Sequence, residues 1–140
     1  MTRATMVRIA LGYMAISTLI VGVWAQFAPR SFYDHFPGLG SVWIAVDGPY
    51  NEHLIRDVGG LNLAVTVVLV AAAITLERRL VIVASVAAMA YGLPHVIYHV
   101  FNTGDLSGTD VVASLTGLAL FAAIPILLIS FTSSSEETVG

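Results

Sequence analysis

The chain contains no cysteine and no lysine. Without cysteine there are no disulfides, thiol redox steps, thiolate metal sites or iron–sulfur clusters. Histidine and carboxylate are then the only strong metal ligands available. Without lysine, all six basic residues are arginine, and they are scattered with no basic stripe, so nucleic acid is not an expected partner. Charge of either sign is scarce: 11% of the 140 residues are charged and the formal net charge is −3.

In place of charge the chain has apolar surface. Hydrophobic residues make up 57% of the sequence and the mean hydropathy is +0.87, well outside the range of an ordinary soluble domain. This composition predicts an integral membrane protein in the cell membrane. At roughly 20 apolar residues per crossing, the length suits one domain of about four helices, with no room for a separate soluble domain.

Four apolar runs are found, at about residues 5–28, 53–76, 80–101 and 110–131, each long enough to cross a bilayer as a helix. The first follows Arg3 and Arg8 as a signal peptide would, but its apolar stretch is long and lacks a clean small-x-small cleavage site. It is expected to be retained. Residues 29–50 form the one sizeable loop, broken by Pro29, Pro37, Gly38, Gly40, Gly48 and Pro49 and rich in aromatics such as Phe32, Tyr33, Phe36, Trp43 and Tyr50. Aromatics favour the headgroup layer, so this loop is expected to lie along the membrane surface. A tight turn at Glu77, Arg78 and Arg79 makes the second and third helices antiparallel neighbours. Before the fourth, Ser107 and Asp110 have the spacing of an N-cap and third-position pair, and Pro125 predicts a kink. Residues 132–140 read as a polar, disordered tail.

Arg3, Arg8, Arg78 and Arg79 gather at one side, against Arg30 and Arg56 at the other. By the positive-inside rule both termini are cytoplasmic. The polar residues within the spans then collect near the outer face, while the inner halves offer little beyond Thr66, Thr75, Ser85 and Ser130.

The outer cluster is the most informative feature. Glu52, His53, Arg56 and Asp57 open the second segment; His95, His99 and Asn102 close the third. Ionisable groups inside membrane helices are costly, and a cluster of them marks a functional site by default. His53 and Asp57 are four residues apart, as are Glu52 and Arg56, and His95 and His99, which puts each pair on one helical face. His95 lies about 9 Å below Phe101 and Asp57 about 7.5 Å below Glu52, so the pairs share a depth. Gly59, Gly60 and the alanines of the third segment allow close backbone approach.

If the pairs face one another, Asp57, His95 and His99 can hold a divalent transition metal such as zinc, iron or copper, with His53 or Glu52 as a fourth ligand. Tyr98, Asn102 and Asp110 would orient those ligands or, with Arg56, contact a small polar ligand. Metal-assisted hydrolysis would need an open coordination position and a base such as Glu52. Haem ligation through His53 and a histidine of the third segment is a further option. A purely structural reading stands beside these. Glu52 suits the helix dipole and Arg56, Asp57 suits Arg56 or a histidine, the histidines suit a helix C-terminus, and Asp110 suits a cap. His35 and Asp34 read as solvated loop residues.

The segment Gly22-Val-Trp-Ala-Gln-Phe-Ala-Pro29, ending a first helix in a four-span chain of this size, resembles the small DoxX-like membrane proteins of bacteria and related uncharacterised four-helix proteins. Pro49-Tyr-Asn-Glu-His-Leu-Ile-Arg-Asp57 and Pro94-His-Val-Ile-Tyr-His99 resemble signatures of a narrower uncharacterised group. The resemblance covers topology over most of the chain and implies a redox role linked to quinone oxidation, with no catalytic motif to carry over.

The expected fold is an all-α, up-down-up-down four-helix membrane bundle, with an outward-facing pocket between the second and third helices under the aromatic loop. The expected function is binding of a metal or small polar ligand there, serving redox or hydrolytic chemistry. The alternative is a non-enzymatic accessory subunit that uses the polar cluster as a clamp and the loop to dock on a membrane-protein partner, a second copy or lipid headgroups. A transporter is disfavoured because the inner half lacks a polar route.

Overall fold

The computed structural model describes residues 1–133. It contains five helices, α1 (Arg3–Phe27), α2 (Pro29–His35), α3 (Glu52–Thr75), α4 (Arg78–Phe101) and α5 (Gly108–Ser133), with two short strands, β1 (Pro37–Gly38) and β2 (Ser41–Val42), between α2 and α3. All but α2 are long and apolar enough to cross a membrane. The fold is the expected all-α bundle. Residues 132 and 133, read from the sequence as tail, continue α5; the rest of that predicted tail is outside the described residues.

Each long helix starts and stops for a local reason. Thr2 caps α1, its Oγ1 accepting from Thr5 N at 3.2 Å, and the helix ends before Ala28-Pro29 because the residue preceding proline is driven out of the α region. Asn51 caps α3 through Oδ1 to Leu54 N at 3.1 Å, and Glu52 in the first turn suits the helix dipole. Leu76 stops α3 in the left-handed region at φ 53°. The link to α4 is therefore two residues, and Arg78 and Arg79 belong to the first turn of α4. Ser107 and Asp110 form the anticipated cap of α5: Ser107 Oγ accepts from Asp110 N at 3.2 Å and lies 2.6 Å from Asp110 Oδ2.

The bundle is built from two pairs, α1 on α3 and α4 on α5; contact between α3 and α4 is smaller, and between α1 and α5 smaller still. Small residues set the first pair. A Cβ at Gly59 would fall 2.5 Å from the Gln26 backbone nitrogen, and one at Gly22 would fall 3.0 Å from Leu63, so α1 and α3 approach at a distance only glycine permits. Inside this pair the Thr18 and Thr66 hydroxyls lie 2.7 Å apart, both buried, and Thr66 donates to the Asn62 carbonyl at 2.8 Å. The apolar core, including Leu11, Met14, Leu69, Val81, Ala84 and Leu128, lies toward the end that carries the α3–α4 link. We call this the turn end and the opposite one the loop end.

At the loop end the connection between α1 and α3 is more ordered than the sequence suggested. Besides α2, it contains an antiparallel pair with Pro37 opposite Val42 and Gly38 opposite Ser41. Its aromatics pack on one another and on the helix ends: Phe32 is buried with Ala25 and Ile55, against Trp24, Phe36 and Tyr50. Trp43 Nε1 donates to Asp110 Oδ1 at 2.9 Å, tying the loop to the start of α5.

Candidate functional site

The polar residues that open α3 satisfy one another at the surface. Arg56 Nη2 lies 2.9 Å from Glu52 Oε1, and its Nη1 donates to the Gln26 carbonyl at the end of α1. The guanidinium thus fastens α3 to α1. Tyr50 makes a long contact to Glu52 Oε2 at 3.4 Å, and its hydroxyl is held above the ordinary range by burial and then by that carboxylate. His53 Nε2 lies 3.3 Å from Asp57 Oδ2, but the two side chains are 88% and 62% exposed. Glu52, the expected base, and Arg56, an expected ligand contact, are thus paired with each other at the surface.

These residues do not meet the histidines of α4. Among the described residues no three histidine, aspartate or glutamate side chains gather as a metal-binding group, so the expected set of Asp57, His95 and His99, with His53 or Glu52, is not assembled. The reason is angular. Asn62 marks the face that α3 turns toward α4, since its Nδ2 donates to Tyr91 Oη at 3.3 Å. At about 100° per residue, Asp57 is turned roughly 140° from that face and His53 roughly 180°. Equal depth did not imply a shared face.

On α4 the arrangement is the reverse. Tyr91, His95 and His99 follow one another at i, i+4 and i+8: the Tyr91 and His95 rings stack with centroids 5.4 Å apart at 28°, and His95 meets His99 edge-on at 4.8 Å. A groove of about 510 Å³ opens beside them, walled by Leu61 of α3 and by Ala87, Ala90, Pro94 and Tyr98 of α4 together with Tyr91 and His95. None of its lining residues comes from the aromatic loop, so the groove opens between helices and is not the loop-covered pocket expected.

Its hydrogen-bonding groups are left open. The Tyr91 hydroxyl accepts from Asn62, and among the described residues nothing accepts its own proton; no described residue bonds the His95 ring nitrogens either. Pro94 has no N–H, so the helical bond to the Ala90 carbonyl is not made. The groove therefore offers a phenol donor, an imidazole and a backbone acceptor within one and a half turns. In a bilayer such groups are costly unless a neighbour or a bound molecule satisfies them.

Of the remaining expected contacts, Tyr98 lines the groove with its ring edge-on to His99 at 5.3 Å. Asn102 donates to the Tyr98 carbonyl at 2.9 Å and so terminates its own helix. Asp110 is held by Ser107 and Trp43, which makes it a cap and a loop anchor. In the loop, Asp34 pairs with Arg30 at 2.8 Å and His35 Nδ1 lies 3.1 Å from the Ser31 carbonyl. Sequence reasoning missed Tyr91, Asn62 and Thr18. The available signals were an asparagine within an apolar run and a tyrosine three residues before a mid-helix proline.

No protein-family model, curated protein or solved structure matches this chain.

Proposed function

We propose that this protein binds a small uncharged ligand with an apolar body and a hydrogen-bonding head in the groove between α3 and α4, held by Tyr91, His95 and the Ala90 carbonyl. The carrying observation is the convergence of those open hydrogen-bonding groups on one apolar-walled groove. A ligand donor would meet Ala90 or His95, and an acceptor would meet the Tyr91 proton. The head is uncharged because no arginine lines the groove, Arg56 of α3 is paired with Glu52 and Gln26, and unpaired charge at that depth is expensive. By the arginine distribution we place both termini in the cytoplasm and the groove in the outer half of the cell membrane.

An accessory-subunit reading is favoured by one feature, Leu39, fully exposed at the tip of the β1–β2 hairpin, where an apolar tip suits a protein partner or the lipid surface. The two readings separate on purified protein. Extraction and mass spectrometry of wild type, Tyr91→Phe and His95→Ala should find a co-purifying organic compound reduced about tenfold in each variant, the effect of one lost hydrogen bond of roughly 1.4 kcal/mol. Absence of any compound that depends on Tyr91 or His95 overturns the proposal. Elemental analysis of the same samples tests the metal reading: a transition metal tracking His95 and His99 would transfer the groove to metal binding.

A further inference from the structure

A second groove lies at the turn end, between α1 and α5. Met6, Val7 and Ala10 of α1 face Ile124, Leu127 and Phe131 of α5 across about 180 Å³ of apolar space. It exists because α1 and α5 make little contact with each other, far less than α1 makes with α3 or α4 with α5. From Arg3 to Ala10 the groove follows α1 for about 10 Å, the span of the first part of an acyl chain. Arg3, the first residue of α1, lines its mouth. Its side chain is exposed and has no partner among the described residues.

Among the described residues, positive charge predominates at that end of the bundle. Among the described residues the turn end carries Arg3, Arg8, Arg78 and Arg79 against Glu77 alone, whereas the loop end carries Arg30 and Arg56 against Asp34, Asp47, Glu52, Asp57, Asp105 and Asp110. Arg8 uses its Nε to bond the Ala73 carbonyl at 3.0 Å, which keeps its charge close to the helix ends.

We infer that the α1–α5 groove is a binding site for one anionic phospholipid, its phosphate at Arg3 and the upper part of one acyl chain between α1 and α5. Charge complementarity selects the headgroup and the apolar walls select a lipid over a free phosphate. This site is separate from the α3–α4 groove in both position and chemistry, and it does not depend on the ligand proposed there.

Native mass spectrometry of the full chain, released from nanodiscs of equal phosphatidylglycerol and phosphatidylcholine, tests it. One retained phosphatidylglycerol is expected, favoured over phosphatidylcholine by about fivefold, the factor for one arginine at a membrane surface. Arg3→Gln should bring the preference close to one, while Arg79→Gln should leave it intact. Ala10→Trp, which fills the groove, should remove retention of both lipids, with circular dichroism confirming that helix content is unchanged. Should Ala10→Trp not fold, Ala10→Leu replaces it and should lower retention. Added inorganic phosphate should not displace the lipid; displacement would reduce the site to a phosphate contact and overturn the acyl-chain half. Equal retention of both headgroups, or a preference indifferent to Arg3→Gln, overturns the proposal. So would a dimer dispersed by Ala10→Trp, which would assign the groove to a second copy, or lipid retained only after removal of residues 134–140, which would assign it to the chain's own tail.

Discussion

The loop-end turns of α3 and α4 carry similar residues at similar depth, yet they are chemically opposite. On α3, Glu52, His53, Arg56 and Asp57 pair with one another or with the end of α1, and all but the half-buried Arg56 are mostly exposed. On α4, Tyr91 and His95 stack against each other beside an open groove, and Pro94 frees a carbonyl next to them. A cluster of polar residues in a membrane helix therefore does not by itself locate a site. What locates one is a set of groups whose bonds their neighbours leave unmade, facing space that a molecule can enter.

The comparison predicts a graded response to substitution. The largest effect belongs to the groove: the double variant Tyr91→Phe/His95→Ala should lose a co-purifying ligand by about a hundredfold, two hydrogen bonds of roughly 1.4 kcal/mol each, and quantitative extraction reads this directly. Retention by the double variant would erase the distinction between the two turns. Next is Arg56→Ala, which leaves the Gln26 carbonyl without its charged donor. It should cost about 1.5 kcal/mol of stability, measured as a shifted midpoint in denaturing-detergent titration, with ligand retained.

A smaller loss, about 1 kcal/mol, is expected for Asn62→Leu, which removes the amide that bonds both the Val58 carbonyl and Tyr91. Because this change frees Tyr91 to rotate, ligand affinity should fall with stability, unlike in Arg56→Ala. The smallest effects should come from His53→Ala and Asp57→Asn. An exposed pair contributes well under 1 kcal/mol, so both variants should match wild type in midpoint and in ligand. A clear loss of ligand in Asp57→Asn would restore the expectation that α3 and α4 share one site.

The four spans were legible because the bilayer demands long apolar runs, and every boundary read from hydropathy falls within two residues of the observed helix. The Ser107–Asp110 cap was legible because it is local. The candidate site was legible only in depth: rise along a helix follows from residue number, but the face depends on which neighbour the helix touches. That choice rests on contacts distant in sequence, such as Gly59 against Gln26 and Thr18 against Thr66. Asn62 held the missing information. As the buried polar residue of α3 nearest the cluster, it turns toward α4, and counting back five residues carries Asp57 away from that helix.

The bond from Trp43 to Asp110 has a practical consequence. The chain has two tryptophans, Trp24 and Trp43, and both lie at the loop end, one packed with Phe32 and Phe36 and the other joined to α5. Ultraviolet emission excited at the red edge of protein absorption thus originates from that end alone, and the turn end is dark. The molecule carries a built-in optical reporter of whether its aromatic loop is seated on α5, readable in intact membranes without a label.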